Sequence, residues 1–328
     1  MKHHLHLVGK GLCALSFSLL AATQVHAQAY PDRTISMIAP FPAGSATDTV
    51  ARLIGEKMAA ELGQTIVVEN IPGASGTIAA SRVSRSKPDG YTIMIHTTIA
   101  LSAALYSNLN YDTATDFEPI GLINTGPYVI ATNVNFPAKD AKDLLATLKQ
   151  KGNEITISNA GVGTGSHLCA IMLSQAIDVE PTLVPYKSTN LALQDVMAGH
   201  VDMLCDQTTN AFPHLNSGKI KAYATTSPQR HTNFPDIPTT TELGIPDVDM
   251  AVWHGLYAPK GTPKEAIEKL NQALQVALAD ATVQQRLDTM GTYLFPEDQR
   301  SPAAHAKHLA RDLERFATLV KEANLQLN

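Results

Sequence analysis

Aromatic residues are scarce, at 5% of 328, and only one is tryptophan. So few rings exclude stacking platforms for nucleic-acid bases and the aromatic girdles of membrane barrels. Charged residues are few as well, at 17% against 44% apolar. That balance excludes a chain held open by its own charge and supplies enough apolar surface for real cores. A basic excess is lacking: Lys and Arg total 25 against 30 Asp and Glu. With nothing left over to neutralise a run of phosphates, nucleic acid is not an expected partner.

Chemical motifs are missing too. The three cysteines and the scattered histidines show no metal-ligand spacing, so no metal is expected. There is no GxxxxGK[ST] phosphate loop and no GxSxG nucleophile elbow. Gly161 to Gly165 reads GxGxG, and no acidic residue stands about 20 positions on at the end of the next strand, so no dinucleotide cofactor is expected either. Ser166 and His167 are adjacent, and neighbours on a helix point about 100° apart. They cannot form a nucleophile–base pair, and no catalytic residue is assigned.

The N-terminus carries Lys2 and Lys10, then an apolar run from Leu12 to Ala22, then Val25-His26-Ala27. The run is about half the roughly 20 residues a membrane span needs. This pattern predicts a signal peptide over 1–27 with cleavage after Ala27, and export to the periplasm. Removing it takes away two lysines and no acid, leaving 23 basic against 30 acidic residues, a net charge of −7. Cys169 and Cys205 then remain. In an oxidising compartment they are either one disulfide or two buried thiols.

Beyond residue 30, strand and helix signals alternate. Thr34 to Ala39 reads as a strand, Thr49 to Leu62 as a helix stopped by Gly63, Thr65 to Glu69 and Tyr91 to His96 as strands. Pro72 to Gly76 reads as a turn opening a short helix. A second cycle begins with strands over Phe117–Ile123 and Tyr128–Thr132, separated by a break at Gly126-Pro127. It continues to a strand at Lys219–Thr226. Beyond Thr262 the chain is nearly all helical, without strands for a third sheet, so it is expected to pack back on an earlier unit. The order βαβαβ predicts parallel sheets covered by helices. Two such cycles predict two lobes with a cleft between them: 28–126 plus 252–328, and 127–251.

Two loops stand out, Phe41 to Asp48 and Ala160 to His167. Each follows a strand and precedes a helix, which places it at the carboxyl end of a parallel sheet, where open α/β folds bind ligands. Small residues admit close backbone approach, and the following helix offers unpaired N–H groups and the positive end of its dipole. Together they make an anion site needing no Lys or Arg. One such loop alone reads equally well as a tight turn, with Thr47 or Asp48 as the helix N-cap. His167 reads as a first-turn residue packing on its loop, or as a plain surface histidine.

The chain then resembles a known family. The motifs are Ala39 to Asp48, Glu69-Asn70-Ile71-Pro72-Gly73-Ala74-Ser75-Gly76, Lys87-Pro88-Asp89-Gly90-Tyr91-Thr92, Gly161 to Leu168, Val184-Pro185-Tyr186-Lys187 and Ala258 to Pro263. Their order and spacing resemble the TctC or Bug receptors of tripartite tricarboxylate transporters over essentially the whole chain after residue 27. The resemblance implies a type II periplasmic binding protein of α/β class, two lobes with a hinged ligand cleft, and no enzyme activity. It implies capture of an organic carboxylate by backbone amides and ordered water, and a far wall uncharged but for Asp206, with the Phe41 ring beside it, points to an aromatic acid or a C4–C6 dicarboxylate. It implies delivery to a permease of one large and one small membrane subunit by a receptor acting as a monomer. A sensor of the same fold touching a kinase, and a periplasmic hydrolase, are the alternatives.

Carried over by position, the first loop supplies Phe41, Gly44, Ser45, Ala46 and Asp48 as ligand-binding residues. The second supplies Gly161, Gly163, Thr164, Gly165 and His167. Strand ends add Thr97, Thr98 and Asp206, with Thr125, Gln207 and Thr208 as further candidates for the far wall. Two departures fall near the cleft. Ala43-Gly44-Ser45 stands where the family more often has Pro-Gly-Gly, and Lys187-Ser188 where it has Lys-Gly.

Overall fold

A computed structural model describes residues 30–97, 99–322 and 325. The expected signal peptide and its cleavage site lie outside the described residues, as does Thr98.

The first cycle is β1 (Ile35–Ala39), α1 (Ala46–Leu62), β2 (Ile66–Asn70), α2 (Thr77–Ser84), β3 (Thr92–Thr97) and α3 (Ile99–Leu105). The long strand β4 (Phe117–Asn133) follows. The second cycle is α4 (Ala141–Lys151), β5 (Thr156–Asn159), α5 (Gly165–Ile177), β6 (Thr182–Pro185), α6 (Thr189–Ala198), β7 (Met203–Gln207), α7 (Thr208–Asn216) and β8 (Ile220–Thr225). The tail is β9 (Ala251–Pro259), α8 (Lys264–Ala279), α9 (Ala281–Thr289), β10 (Tyr293–Leu294) and α10 (Pro302–Glu322).

Strand order is β2-β1-β3-β9-β4-β7-β5-β6, with β8 and β10 also pairing β4. The triplets β2-β1-β3 and β6-β5-β7 are parallel, as the βαβ alternation predicts. Between them β9 and β4 run antiparallel to their neighbours, so the whole is mixed rather than parallel. The result is two α/β lobes. The first buries Ile35 and Met37 of β1 with Val50 and Ile54 of α1 and Leu270 and Leu274 of α8, and the second buries Val129, Leu193, Val196 and Phe212.

The expected break at Gly126-Pro127 is absent, and 117–133 is one strand. Its partner changes here instead. Residues up to Pro127 pair with β9, and those from Tyr128 pair with β7. A proline is tolerated where the ladder is handed from one neighbour to another, because its missing N–H falls at the handover. Gly126 is tightly packed: a Cβ there would stand 3.0 Å from Thr292 and 3.2 Å from the Thr208 hydroxyl. The helical tail packs back as expected, α8 against α1 and α10 against α3. Cys169 of α5 and Cys205 of β7 form a disulfide with a Cα–Cα distance of 5.9 Å, which decides between the two cysteine readings.

Candidate functional site

The two loops are built on the same plan. Gly44 (φ +80°) and Gly163 (φ +78°) both adopt the left-handed backbone that L side chains avoid. The next residue is in each case the helix N-cap. The Ser45 hydroxyl accepts the Asp48 amide at 3.3 Å, and the Thr164 hydroxyl accepts the His167 amide at 3.4 Å. Ser45 is therefore the cap, not Thr47 or Asp48, and α1 begins earlier than its apolar spacing predicts. Four residues after each glycine comes a side chain that accepts the glycine's own N–H. It is Asp48 Oδ2 at 2.8 Å in the first loop and His167 Nδ1 at 3.3 Å in the second.

This plan reassigns several predicted roles. The Gly44 and Gly163 amides are engaged inside their loops, and the Gly161 amide donates to Asn159 Oδ1 at 3.0 Å. The amides left by the geometry are those of the first helical turns, Ala46 and Thr47 in α1, Gly165 and Ser166 in α5. Gly44, Asp48 and His167 are not on the cavity wall but stand behind it as braces. Asp48 also takes the Asn70 amide at 2.9 Å and Arg52 at 2.9 Å. Burial works to raise the Asp48 pKa, but those partners outweigh it and hold the carboxyl below its usual range. Burial pushes the His167 imidazole down, in keeping with a neutral ring whose Nδ1 accepts a hydrogen bond.

Both helix N-termini open on one cavity of about 530 Å³. Phe41, Ser45, Ala46 and Thr97 line it from the first lobe, and Gly161, Gly163, Thr164, Gly165 and Asp206 from the second. Of the further far-wall candidates, Gln207 lines it and Thr125 and Thr208 do not. Thr208 is wholly buried and donates to the Gly291 carbonyl at 2.8 Å, while Thr125 donates to the Val252 carbonyl at 3.1 Å. Lys187 lies on the lining and is exposed, so the cavity has one cation that the loops alone did not predict.

Other lining residues went unrecognised in the sequence. Ser75 and its loop from Pro72 read as a turn within a quoted motif but not as cavity wall, although β2 ends beside β1 and so opens on the same edge. Ala74 and Ser75 have positive φ, 45° and 52°, and Ser102 clasps the Ser75 carbonyl at 2.8 Å. Tyr186, Ser188, Thr189 and Asn210 complete the second-lobe wall. Tyr186 and Ser188 fall within or just after a quoted motif, which was the available signal.

Behind the first loop, Thr47 Oγ1 lies 3.3 Å from His254 Nε2, whose Nδ1 lies 3.0 Å from Asn124 Oδ1. Burial pushes the His254 pKa down to about 3, with the neighbouring His96 adding to the effect, so this ring is neutral. The contacts tie the α1 N-terminus to β9 and to β4 close to the point where β4 changes partners. Ser166 accepts from the Ala160 amide at 2.9 Å and lies 3.0 Å from Thr164 Oγ1. The His167 ring nitrogen faces Gly163 instead. Among the described residues no group of three or more His, Cys, Asp or Glu could hold a metal ion, and no helix is long and apolar enough to cross a membrane.

Two α/β lobes around a cleft that ends in helix N-termini define the class of periplasmic solute-binding receptors. The family described as "Tripartite tricarboxylate transporter family receptor" matches residues 50–325, and the chain belongs to that TctC family. Its members are solute-binding receptors, not enzymes. The chain is similar to the solved periplasmic binding protein BugD, with 40% identity and a TM-score of 0.86 over 90% of this chain and 99% of that one. It is also similar to MatC from Rhodopseudomonas palustris, solved with malate, at 37% identity and TM-score 0.84 over 89% and 100%. An R. palustris protein solved with adipate matches at 30% identity and TM-score 0.84 over 90% and 98%.

Proposed function

We propose that this receptor captures an organic dicarboxylate of four to six carbons, or an aromatic acid, and delivers it to a two-subunit membrane permease. The observation that carries the reading is the pair of matched glycine loops, whose helix N-termini converge on one cavity. Each terminus carries about half a positive charge and unpaired N–H groups, and so favours an anion. The cavity volume suits a small organic ligand. Relatives of the same fold solved with malate and adipate are in keeping with it. The overall charge after export is negative, so attraction is local rather than by long-range steering.

In this reading the chain is cleaved after Ala27 and works in the periplasm as a monomer. The lobes are 28–126 plus 252–328, and 127–251, and they close over the ligand by bending where the chain passes between them. Hydrogen bonds to an ionised group are worth ~1.5–3 kcal/mol each. Four or five, less ordering costs, correspond to a Kd on the order of 1 μM. A thermal-shift screen of the mature protein across mono-, di- and aromatic carboxylates, sugars and amines tests the reading. Stabilisation by dicarboxylates or aromatic acids is expected. Hits confined to sugars or amines would overturn it, and hits with aliphatic monocarboxylates alone would overturn the ligand class.

A further inference from the structure

The cavity's walls differ in chemistry. The loop walls present amide donors, whereas the end of β7 presents a carboxylate. Asp206 lines the cavity and is only 5% exposed. Its Oδ1 accepts the Gln207 amide at 2.7 Å. Asn210 Nδ2 makes only long contacts with the carboxyl, 3.5 Å to Oδ1 and 3.4 Å to Oδ2. The Thr189 hydroxyl also bonds the carboxyl and favours its charged form. The Tyr128 hydroxyl, buried with no hydrogen-bond partner among the described residues, stays protonated because burial, and then the Asp206 charge, raise its pKa. On the first-lobe wall the Thr97 hydroxyl is buried without a partner among the described residues.

An anion cleft with a buried carboxyl at its base is selective rather than contradictory. We propose that Asp206 is a specificity-determining acceptor that selects carboxylates bearing a hydrogen-bond donor, a hydroxyl or an ammonium group, over plain diacids of equal length. This rests on the carboxylate reading above. An ionised carboxylate only accepts, with about four lone-pair sites. Burial pushes the Asp206 pKa up to about 6, which leaves it mainly ionised at pH 7.5. A plain diacid brings only acceptors to Asp206 and adds nothing to its long Asn210 contacts. A hydroxyl or ammonium brings a donor to the carboxylate's open lone pairs. Sites built to hydrogen-bond one group discriminate strongly against the analogue lacking it, because their own polar atoms are then left unpaired.

The test is isothermal titration at pH 7.5 with sets matched in length. They are succinate, malate and aspartate; glutarate, 2-hydroxyglutarate and glutamate; adipate and 2-aminoadipate. In the best-fitting length, at least one donor-bearing acid is expected to bind about tenfold or more tightly than the plain diacid, a difference of about 1.4 kcal/mol. Asp206→Asn, which keeps the shape, is expected to reduce that preference to within about threefold. The hydroxyl and ammonium arms identify which donor is read. Equal or tighter binding of plain diacids by the native protein overturns the inference. So does an undiminished preference in Asp206→Asn with a native melting profile. If the variant does not fold, the native pairs decide alone. If no acid in any set binds, this inference falls, while the carboxylate reading is decided by the aromatic acids of the thermal-shift screen.

Discussion

Ser75 Oγ donates to the Val162 carbonyl at 3.1 Å, joining the β2–α2 loop of the first lobe to the glycine-rich loop of the second. Nearby, the position a Gly44 Cβ would take lies 2.8 Å from Asn190 Nδ2. The lips of the cleft therefore touch.

This contact predicts a small effect on capture. Ser75→Ala removes one neutral hydrogen bond, worth about 0.5–1.5 kcal/mol. Affinity should fall by about two- to tenfold, mostly through faster release. Stopped-flow or surface-plasmon measurement of the dissociation rate checks it. Small-angle scattering should also show a smaller radius of gyration with saturating ligand. An unchanged radius would contradict closure.

Glycine substitutions should outweigh hydroxyl deletions. Gly163→Val places a β-branched residue at φ +78°. A Cβ at Gly165 would overlap the Tyr128 hydroxyl. Either change should weaken binding by more than about tenfold, or about 1.4 kcal/mol. Ser45→Ala loses an N-cap worth about 0.5–2 kcal/mol of stability and should leave affinity closer to native. Titration calorimetry alongside thermal melts separates the two effects.

How much of this was legible beforehand differs between the loops and their surroundings. Gly44 and Gly163 were readable because a left-handed turn before a helix restricts residue type strongly, whereas the α1 cap was not, since Thr47 and Asp48 suit that role as well as Ser45 by residue type. The internal partners were not. Whether the Gly163 amide faces a ligand or His167 depends on a side-chain rotamer, which spacing does not encode. Gly126-Pro127 carries a strong break signal, yet tertiary pairing with β9 and then β7 carries one strand through it. Ser75 and Asn210 join Asp206, which the sequence did offer, only because the chain after β2 and the chain after β7 line one cavity.

Acid should weaken capture through His167. Its Nδ1 must be unprotonated to accept the Gly163 amide, and burial holds the ring's pKa below the ordinary 6.5. The folded loop thus disfavours the proton. The stability it contributes is full above pH 6.5 and is lost progressively as pH falls below that. Affinity for a fixed ligand should decline on acidification, and His167→Gln, whose carbonyl can accept the same amide without titrating, should flatten the decline. A profile unchanged by that substitution would assign the pH dependence elsewhere.

The disulfide should matter for both stability and binding. Cys169 lies five residues beyond the Thr164 cap, and Cys205 immediately precedes Asp206. Closing a loop of 36 residues in sequence is worth about 2–5 kcal/mol. Cys169→Ser with Cys205→Ser should lower the melting temperature by several degrees and weaken affinity, because α5 and β7 are then free to shift. Equal melting temperatures with and without the bond would contradict the first part.

The most direct measurement is a crystal structure with the tightest-binding carboxylate from the screen. A carboxylate should lie at the N-termini of α1 and α5, bonded directly or through one water to the amides of Ala46 or Thr47 and of Gly165 or Ser166. A ligand carboxylate held by Lys187 at the rim, with both helix N-termini left to solvent, would contradict the account.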